Sequence, residues 1–403
     1  MPDHSPSGKR DVWITGIGLV SSLGEGPQAN WQALAAGTAP VTDAERFAPY
    51  VVHPLVKVNY DSQIPKKGDQ RQMEPWQRIG TYAAGLALDS AGIAKNAEIL
   101  GQTDMIVAAG GGERDFLVDA AILNDILATN DAGRLLNERL LSDLRPTLSL
   151  AQLSNLLAGN ISIVHGVTGS SRTFMGEESA GVDATRIAFS RIAARQSEIA
   201  LVGGAYNAER EDMLLLYALN DFCMKNGFRP IFGADGAPGI PSGSMGAFLV
   251  LESPEHATAR GAKPLAKLSG VWSERARRDT PGSVAEKVTA LLSKAGTTPG
   301  TAVFSGATGA RGATEAEAQA LRAAALPVRS LANRIGHGFE AQFAAGLALA
   351  ALAVNEGTLF PALAGDTLES DAPKTGGEAV SRVIVTAVGH WRGEGAGLVE
   401  RVG

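Results

Sequence analysis

Short apolar runs alternate with longer amphipathic or alanine-rich runs along most of this chain. Residues 12–18, 105–109 and 199–204 contain continuous apolar runs that reach or precede glycine, which is typical of buried strands. Residues 30–36 and 79–91 have the spacing of helices, and the second is followed by a glycine. This alternation predicts an α/β protein with a mostly buried sheet.

The later part of the chain repeats this order of elements. Residues 284–295 predict a helix that ends at Gly296, as 79–91 ends at Gly92. Residues 302–306 correspond to the strand at 105, and residues 382–389 to the strand at 199. A repeat that is weak in identity but consistent in order indicates an internal duplication.

The repeat places a boundary near the middle of the chain. We predict a first half over 1–255 and a second half over 256–403. A more polar, helical insertion is expected at about 116–154 in the first half. Residues 1–10 are polar and lack an apolar signal core, so we expect a short mobile arm there.

Composition narrows the classes of protein that this chain could be. A length of 403 residues suits two fused core-forming halves, and 45% apolar with 19% charged residues is ordinary for a globular protein. The net charge of −6 gives no sign of nucleic-acid binding. Cys223 is the only cysteine, which favours a reducing, cytoplasmic location, and no apolar run is long enough for a membrane span.

Two segments carry the candidate chemistry. Residues 173–181 (TFMGEESAG) close a predicted strand and open a small-residue helix, and residues 335–339 (IGHGF) open a second helix. Both resemble the active-site motifs of the β-ketoacyl-acyl-carrier-protein synthases, the condensing enzymes of fatty-acid and polyketide synthesis. Residues 14–24, 157–163 and 248–257 are similar to other segments of that family.

The resemblance covers nearly the whole chain and implies a fold. It implies a thiolase-like, internally duplicated α/β architecture with five layers, αβαβα, and two buried mixed sheets. Each half would contribute a helix N-terminus to one central site. No cofactor and no metal are implied.

The family's catalytic positions are only partly retained. In the family a cysteine begins the first helix and accepts the acyl group, because a helix N-terminus lowers the pKa of a thiol. The matching residue here is Glu178, with Glu177 as the less favoured register. The first family histidine corresponds to Ser305, whereas the second is retained as His337. The family lysine before it corresponds to Ala332.

Residues of the substrate pocket are also implied by the resemblance. The family's Gly-Phe-Gly-Gly turn corresponds to residues 390–393, so that His390 and Arg392 replace two glycines and should narrow the mouth. We therefore expect Phe339, His390, Trp391 and Gly393 to line the acyl pocket. Arg334 would keep a cation near His337.

Glu178 is a poor substitute for a nucleophilic cysteine. An acyl adduct on a carboxylate would be an anhydride, which hydrolyses readily and is unfavourable to form from a thioester. A buried lone carboxylate is destabilising unless it is hydrogen-bonded, so we expect Glu178 to accept backbone N–H groups and to pair with His337. A structural role for Glu178 is favoured over new chemistry, and Cys223 is expected to be a packed thiol.

Three functions remain open at this point. The favoured hypothesis is a condensation-inactive homologue that resembles a chain-length factor and pairs with an active ketosynthase, acting with an acyl carrier protein. The first alternative is altered chemistry, in which Glu178 and His337 hydrolyse an acyl thioester or decarboxylate a malonyl group. The second is an active synthase with another nucleophile. A homodimer remains possible as well as a heterodimer.

Overall fold

The computed structural model describes residues 10–144, 152–371 and 379–403. The expected N-terminal arm therefore lies outside the described residues, except for Arg10, and so do residues 145–151 of the expected insertion.

Twelve strands are described. In chain order they are β1 Val12–Val20, β2 Val52–His53, β3 Asp104–Ala108, β4 Ser171–Phe174, β5 Ile199–Tyr206, β6 Ser242–Gly243, β7 Met245–Glu252, β8 Ala266–Glu274, β9 Thr301–Ser305, β10 Val328–Ser330, β11 Arg382–Val388 and β12 Glu394–Glu400.

The described helices surround and separate these strands. They are α1 Pro27–Ala35, α2 Lys67–Gln72, α3 Pro75–Ser90, α4 Ala97–Gln102, α5 Phe116–Ala128, α6 Ala132–Asp143, α7 Leu156–His165, α8 Glu178–Ala193, α9 Glu211–Leu219, α10 Pro254–Ala259, α11 Ser283–Ala295, α12 Arg311–Ala324, α13 Ala332–Ile335 and α14 Gln342–Glu356. Two short 3₁₀ helices span Tyr60–Ser62 and Phe339–Ala341.

The predicted elements are present, with shifted ends. Two helices begin earlier than the apolar pattern indicated, at Pro27 and Pro75, because proline is favoured in the first turn of a helix where its missing N–H is not needed. The second central helix, α14, begins only at Gln342, since the 3₁₀ turn Phe339–Ala341 follows His337 first.

Ten strands form one hydrogen-bonded sheet in the order β10-β9-β11-β12-β8-β1-β7-β5-β3-β4. Read outward from the centre, β1-β7-β5-β3-β4 and β8-β12-β11-β9-β10 have the same sequence of pairings. Each begins with two antiparallel pairs and ends with two parallel pairs. This correspondence supports the predicted duplication, while the boundary at residue 255 stays a prediction.

We expected two separate sheets, but the strand pairing joins ten strands into one sheet. The two five-stranded halves are joined because β1 pairs with β8 over three residues, Val12 with Leu268, Trp13 with Lys267 and Ile14 with Ala266. Sequence similarity between the halves does not reveal this pairing, because the pairing depends on how the edges of β1 and β8 come together in the folded protein. The five-layer order stays a prediction.

Two helices, α8 and α14, contact strands of both halves. Helix α8 contacts β3 and β5 of the first half and β8 of the second, and α14 contacts β7 as well as β11 and β12. Their small residues allow this close packing. A Cβ on Gly181 would lie 2.8 Å from the backbone oxygen of Glu340, so only glycine fits where α8 crosses the turn before α14.

The insertion forms the two helices α5 and α6, which pack against each other. Several of their apolar side chains are exposed: Phe116, Leu117, Leu123, Leu127, Leu136, Leu140 and Leu141. Strand β4 lies at the end of the sheet order, so one of its edges has no neighbouring strand among the described residues. No helix in the described ranges has both the length and the apolar character needed to cross a bilayer.

Candidate active site

A strained turn precedes Glu178, which is the first residue of α8. Glu177 has φ 56° and ψ −132°, a conformation that a non-glycine residue rarely adopts. The preceding Gly176 has φ 134°, and the Ser179 hydroxyl donates to its carbonyl oxygen at 2.7 Å. This turn connects β4 to α8 and directs the Glu178 side chain into the interior, where it is 3% exposed.

Two histidines converge on one oxygen of Glu178. Its Oε1 lies 3.0 Å from Nε2 of His337 and 2.9 Å from Nδ1 of His390. The three side chains come from the start of α8, the turn before α14 and the loop after β11. The predicted pairing of Glu178 with His337 is therefore present, and sequence reasoning missed the role of His390 as a second partner.

These contacts determine the charges in the site. Burial by itself would raise the pKa of Glu178, but the positive charge of His390 and the hydrogen bonds from both histidines outweigh burial and hold the pKa well below its usual value. Burial would lower the pKa of His390, yet the Glu178 carboxylate raises it above its usual value. Glu178 and His390 thus form a buried ion pair.

The expectation that backbone N–H groups would bind Glu178 is wrong. Its Oε2 has no hydrogen-bond partner among the described residues. The histidines take the place of the backbone groups, because the Glu177 turn places the carboxylate beside His390 instead. Oε2 lies against Gly389, where a Cβ would come within 3.3 Å of it.

His337 is fixed by its backbone as well as by Glu178. Its N–H donates to the carbonyl of Pro241 at 2.7 Å, and its own carbonyl accepts from Gly243 at 2.9 Å. Nε2 faces Glu178, whereas Nδ1 is buried with no partner in the described residues. The nitrogen that could assist a reaction is therefore already bound to the carboxylate.

Aromatic rings surround the ion pair. The ring of Phe339, itself fully buried, stacks on Tyr217 with centroids 4.7 Å apart and meets His337 at 4.8 Å. His390 packs edge-on against Tyr217 and Phe222 at 5.4 and 5.1 Å. The space beside Glu178 is filled by side chains, which agrees with the narrowed mouth expected from the sequence.

The other residues of the turn after β11 have different surroundings. Trp391 is 61% exposed, so burial does not support its predicted role in binding substrate, which stays a prediction. Gly393 has φ 82° and packs on Ser179, where a Cβ would lie 2.8 Å from the serine Cβ. Gly389 N–H donates to the Gly393 carbonyl at 2.9 Å and closes the turn.

Ser305 is part of a different buried network. Its hydroxyl donates to Oε1 of Glu317 at 2.8 Å, and Thr386 donates to the same oxygen at 2.5 Å. Burial raises the pKa of Glu317 to about 7. The two hydroxyl hydrogen bonds lower this pKa only in part, since neither hydroxyl carries a positive charge. No hydrogen bond of the described residues links Ser305 to Glu178 or His337.

Two further side chains lie away from the chemistry expected of them. Arg334 does not serve as a cation beside His337, since its guanidinium donates to the backbone carbonyls of Thr38 and Pro361. Cys223 is buried, its thiol lies 3.8 Å from the Leu214 carbonyl oxygen, and burial raises its pKa to about 11. A thiol with a raised pKa is a poor nucleophile.

Cavities approach the ion pair from two directions but do not include Glu178. One of about 290 Å³ is lined by Glu177, Glu340, Tyr206, Tyr217 and Arg210, among others. Another of about 560 Å³ is lined by Phe222, His390 and residues of α11 and α12. Glu178 and His337 line neither of these two cavities.

One group of side chains has the donor atoms of a cation site. Single donor atoms of Glu177, Glu178 and His390 lie within 4.8 Å of one another. Occupation by a metal would require His390 to give up the proton that it shares with Glu178, and the ion pair favours the protonated form. The absence of a metal, expected from the sequence, stays a prediction.

Comparisons with known proteins agree with this architecture. Residues 9–257 match the family described as the β-ketoacyl synthase N-terminal domain. The 3-oxoacyl-[acyl-carrier-protein] synthase 2 of Vibrio harveyi is 26% identical over 271 residues, which cover 65% of this chain and 62% of the relative. The chain thus matches somewhat less than two thirds of the length of that relative.

Two similar proteins extend the likeness over almost the whole chain. The tetracenomycin polyketide synthase ketoacyl synthase β subunit of Streptomyces glaucescens is 25% identical over 385 residues, 91% of this chain and 89% of that one. The solved structure of the ishigamide ketosynthase/chain length factor superposes with a TM-score of 0.79 at 22% identity, covering 98% of this chain and 100% of that chain.

The family match covers more than half of the chain, and the chain belongs to the β-ketoacyl synthase family. Its fold is the mixed α/β, thiolase-like fold of the ketosynthases.

Proposed function

We propose that this chain is a condensation-inactive member of the β-ketoacyl synthase family that acts as a chain-length-factor-like subunit beside an active ketosynthase. The observation that carries the proposal is the buried group of Glu178, His337 and His390. At the position where the family has its cysteine, the chain has a carboxylate bound to both histidines. A group so paired cannot accept an acyl chain.

Altered chemistry at the same group is less well supported. A general base works best when its pKa lies near the working pH, and the pKa of Glu178 is held far lower. Glu178 also lines neither of the two cavities beside it. Hydrolysis or decarboxylation would need a carboxylate that is both basic and open to substrate.

An active synthase with a different nucleophile is also less well supported. Cys223 is the only thiol of the chain, and it is buried with a raised pKa. The Ser305 hydroxyl donates to Glu317 and carries no positive charge. It therefore cannot stabilise a developing enolate as a protonated histidine would.

The surface of the first half supports a partner subunit. One edge of strand β4 has no neighbouring strand in the part of the chain that the structure describes, and such unpaired edges accept strands of other chains. The exposed side chains of Leu117, Leu127 and Leu141 on the insertion helices add apolar area, which is typical of an interface. We propose that β4 and these helices contact a cysteine-bearing ketosynthase, with a homodimer as the alternative, and that an acyl carrier protein serves the pair.

Co-expression tests the partner subunit. We expect the chain to copurify with a cysteine-bearing ketosynthase from its own source and to condense acyl and malonyl thioesters only in that complex. Leu127→Asp, which adds a charge to a side chain 86% exposed, should weaken the complex without unfolding the chain. Val41→Asp, at 41% exposed in another region, is the matched control. Formation of 3-oxoacyl product by the chain alone would refute the proposal.

A further inference from the structure

The cavity beside Glu177 contains a buried carboxylate that the proposed function does not use. Glu340, in the 3₁₀ turn before α14, is 6% exposed and lines this cavity of about 290 Å³. Its Oε1 lies 2.9 Å from the position of a Cβ on Gly110, another residue of the cavity wall. The absence of a side chain at Gly110 leaves room for the carboxylate.

Glu340 lacks the partners that Glu178 has. In the described ranges, its carboxylate accepts a hydrogen bond from its own backbone N–H and none from another residue. Burial therefore raises its pKa to about 7, and the charges of Glu178 and Glu177 add to this effect. Because the side chain lines the cavity, a donor on a bound ligand can reach the carboxylate and would offset the hydration that burial removes.

The arginines of the cavity wall do not supply that donor. Arg210 is already paired with Asp212 at 2.5 Å and donates to the carbonyl of Gly112 at 3.0 Å. Burial raises the pKa of Glu177, and the charge of Arg392, which lies near Gly176, offsets only a part of that rise. The acceptor capacity of Glu340 stays open to the cavity.

The cavity opens next to the unpaired sheet edge. Met175 and Leu216 line it and are 65% and 51% exposed, so they mark its mouth. Met175 directly follows Phe174, the last residue of β4. A chain that crosses an interface built on β4 would therefore meet this mouth.

We propose that this cavity receives the end of an acyl chain that carries a hydrogen-bond donor, a hydroxyl or an amine, and that Glu340 recognises that end group. The inference rests on the proposed function, because the partner subunit would supply the chain. A methyl end would leave Glu340 without a partner, and a carboxylate end would repel both Glu340 and Glu177. Glu340 is thus a specificity-determining residue.

Binding of small acyl probes to the full chain tests this inference, with the chain purified together with any subunit that accompanies it; two of the probes are neutral and the third has a carboxylate end. The probes are the N-butylamides of 6-hydroxyhexanoic acid and of hexanoic acid, and the mono-N-butylamide of adipic acid. Titration calorimetry should show the hydroxyl probe binding at least about 10-fold more tightly than the methyl probe, which corresponds to one donor–carboxylate hydrogen bond. The adipic probe should bind most weakly.

Variants of Glu340 separate recognition from folding. Glu340→Leu should remove the preference for the hydroxyl probe, and Glu340→Gln should retain it, since the amide oxygen still accepts. Glu211→Leu, on α9 and outside the cavity lining, should bind like the parent.

Equal binding of the methyl and hydroxyl probes to the parent would overturn the inference, as would binding of neither, or a preference that survives in Glu340→Leu. None of these results requires condensation or a partner ketosynthase. Failure of the inference is therefore distinct from failure of the proposed function, which the activity of the chain alone decides.

Discussion

Glu178 and Glu340 are two buried glutamates at the centre of the molecule, and they differ in almost everything except burial. Each lies at the approach to a central helix, and each is less than a tenth exposed. The pKa of Glu178 is far below its usual value, whereas that of Glu340 is raised to about 7. The hydrogen-bond partners account for the difference, because two histidines bind Glu178, whereas no other residue within 10–144, 152–371 or 379–403 donates to Glu340.

Glu317 shows which property of the partners matters. It receives two hydroxyl hydrogen bonds, from Ser305 and Thr386, and its pKa is still raised to about 7. Neutral donors therefore do not offset the loss of hydration on burial here, and a positive charge such as that of His390 does. In the function proposed above, the paired Glu178 cannot accept an acyl group, whereas the carboxylate of Glu340 remains available to a ligand.

The largest effect is expected from removing the Glu178 carboxylate. Glu178→Ala would leave the buried His390 cation without a counter-charge, and we expect the free energy of unfolding to fall by about 3–5 kcal/mol. Urea unfolding followed by circular dichroism measures this. Glu255→Ala, at a side chain 58% exposed, is the control and should change stability little. A loss below about 1 kcal/mol in Glu178→Ala would mean that the ion pair is not formed.

A smaller, pH-dependent effect is expected when only the charge of Glu178 is removed. The pKa of Glu178 is lowered from 4.5, so its contribution is present above pH 4.5 and is lost on acidification. The pKa of His390 is raised from 6.5, so its contribution is present below pH 6.5 and is lost as pH rises through the raised value. Both contributions are present between pH 4.5 and 6.5.

Glu178→Gln should therefore lose about 1.5–3 kcal/mol of stability in that window, the contribution of a charged hydrogen bond. The difference in stability between this variant and the parent should become smaller below pH 4.5 and above pH 6.5. Urea unfolding at a series of pH values gives the profile. A difference that is constant with pH would indicate that the pair is neutral.

The smallest effect is expected at Glu340, and it has the opposite sign. Its folded pKa of about 7 lies above the usual 4.5, so ionisation destabilises the protein as pH rises from 4.5 through 7. Glu340→Gln removes that penalty, and we expect a gain of about 1 kcal/mol at pH 8 and little change at pH 4. The same unfolding series checks it. Loss of stability at pH 8 would show that Glu340 is ion-paired.

Much of the central site follows from the sequence. The spacing around Gly181 placed Glu178 at the start of a helix and the Gly-His motif placed His337 opposite it, and the structure brings the two together. The repeated order of elements along the two halves also follows from the apolar pattern, because buried strands and the glycine turns that end them are local features.

Other contacts depend on how distant elements meet. His390 was expected to narrow a pocket, and its bond to Glu178 arises because the turn after β11 folds onto the start of α8, 212 residues away in sequence. Glu340 faces a cavity because Gly110, at the end of β3, lacks a side chain. The pairing of β1 with β8 joins residues 12–14 to residues 266–268, which are far apart in the sequence. Local sequence patterns do not encode these contacts between distant elements.

The central claim is that the carboxylate at residue 178 keeps this chain from carrying an acyl group. Intact-protein mass spectrometry after incubation with an acyl-carrier-protein thioester, with malonyl thioester then added, tests it most directly. We expect an unchanged mass and no 3-oxoacyl product from the chain alone. A mass increase equal to one acyl group, followed by its disappearance as 3-oxoacyl product forms, would contradict the account.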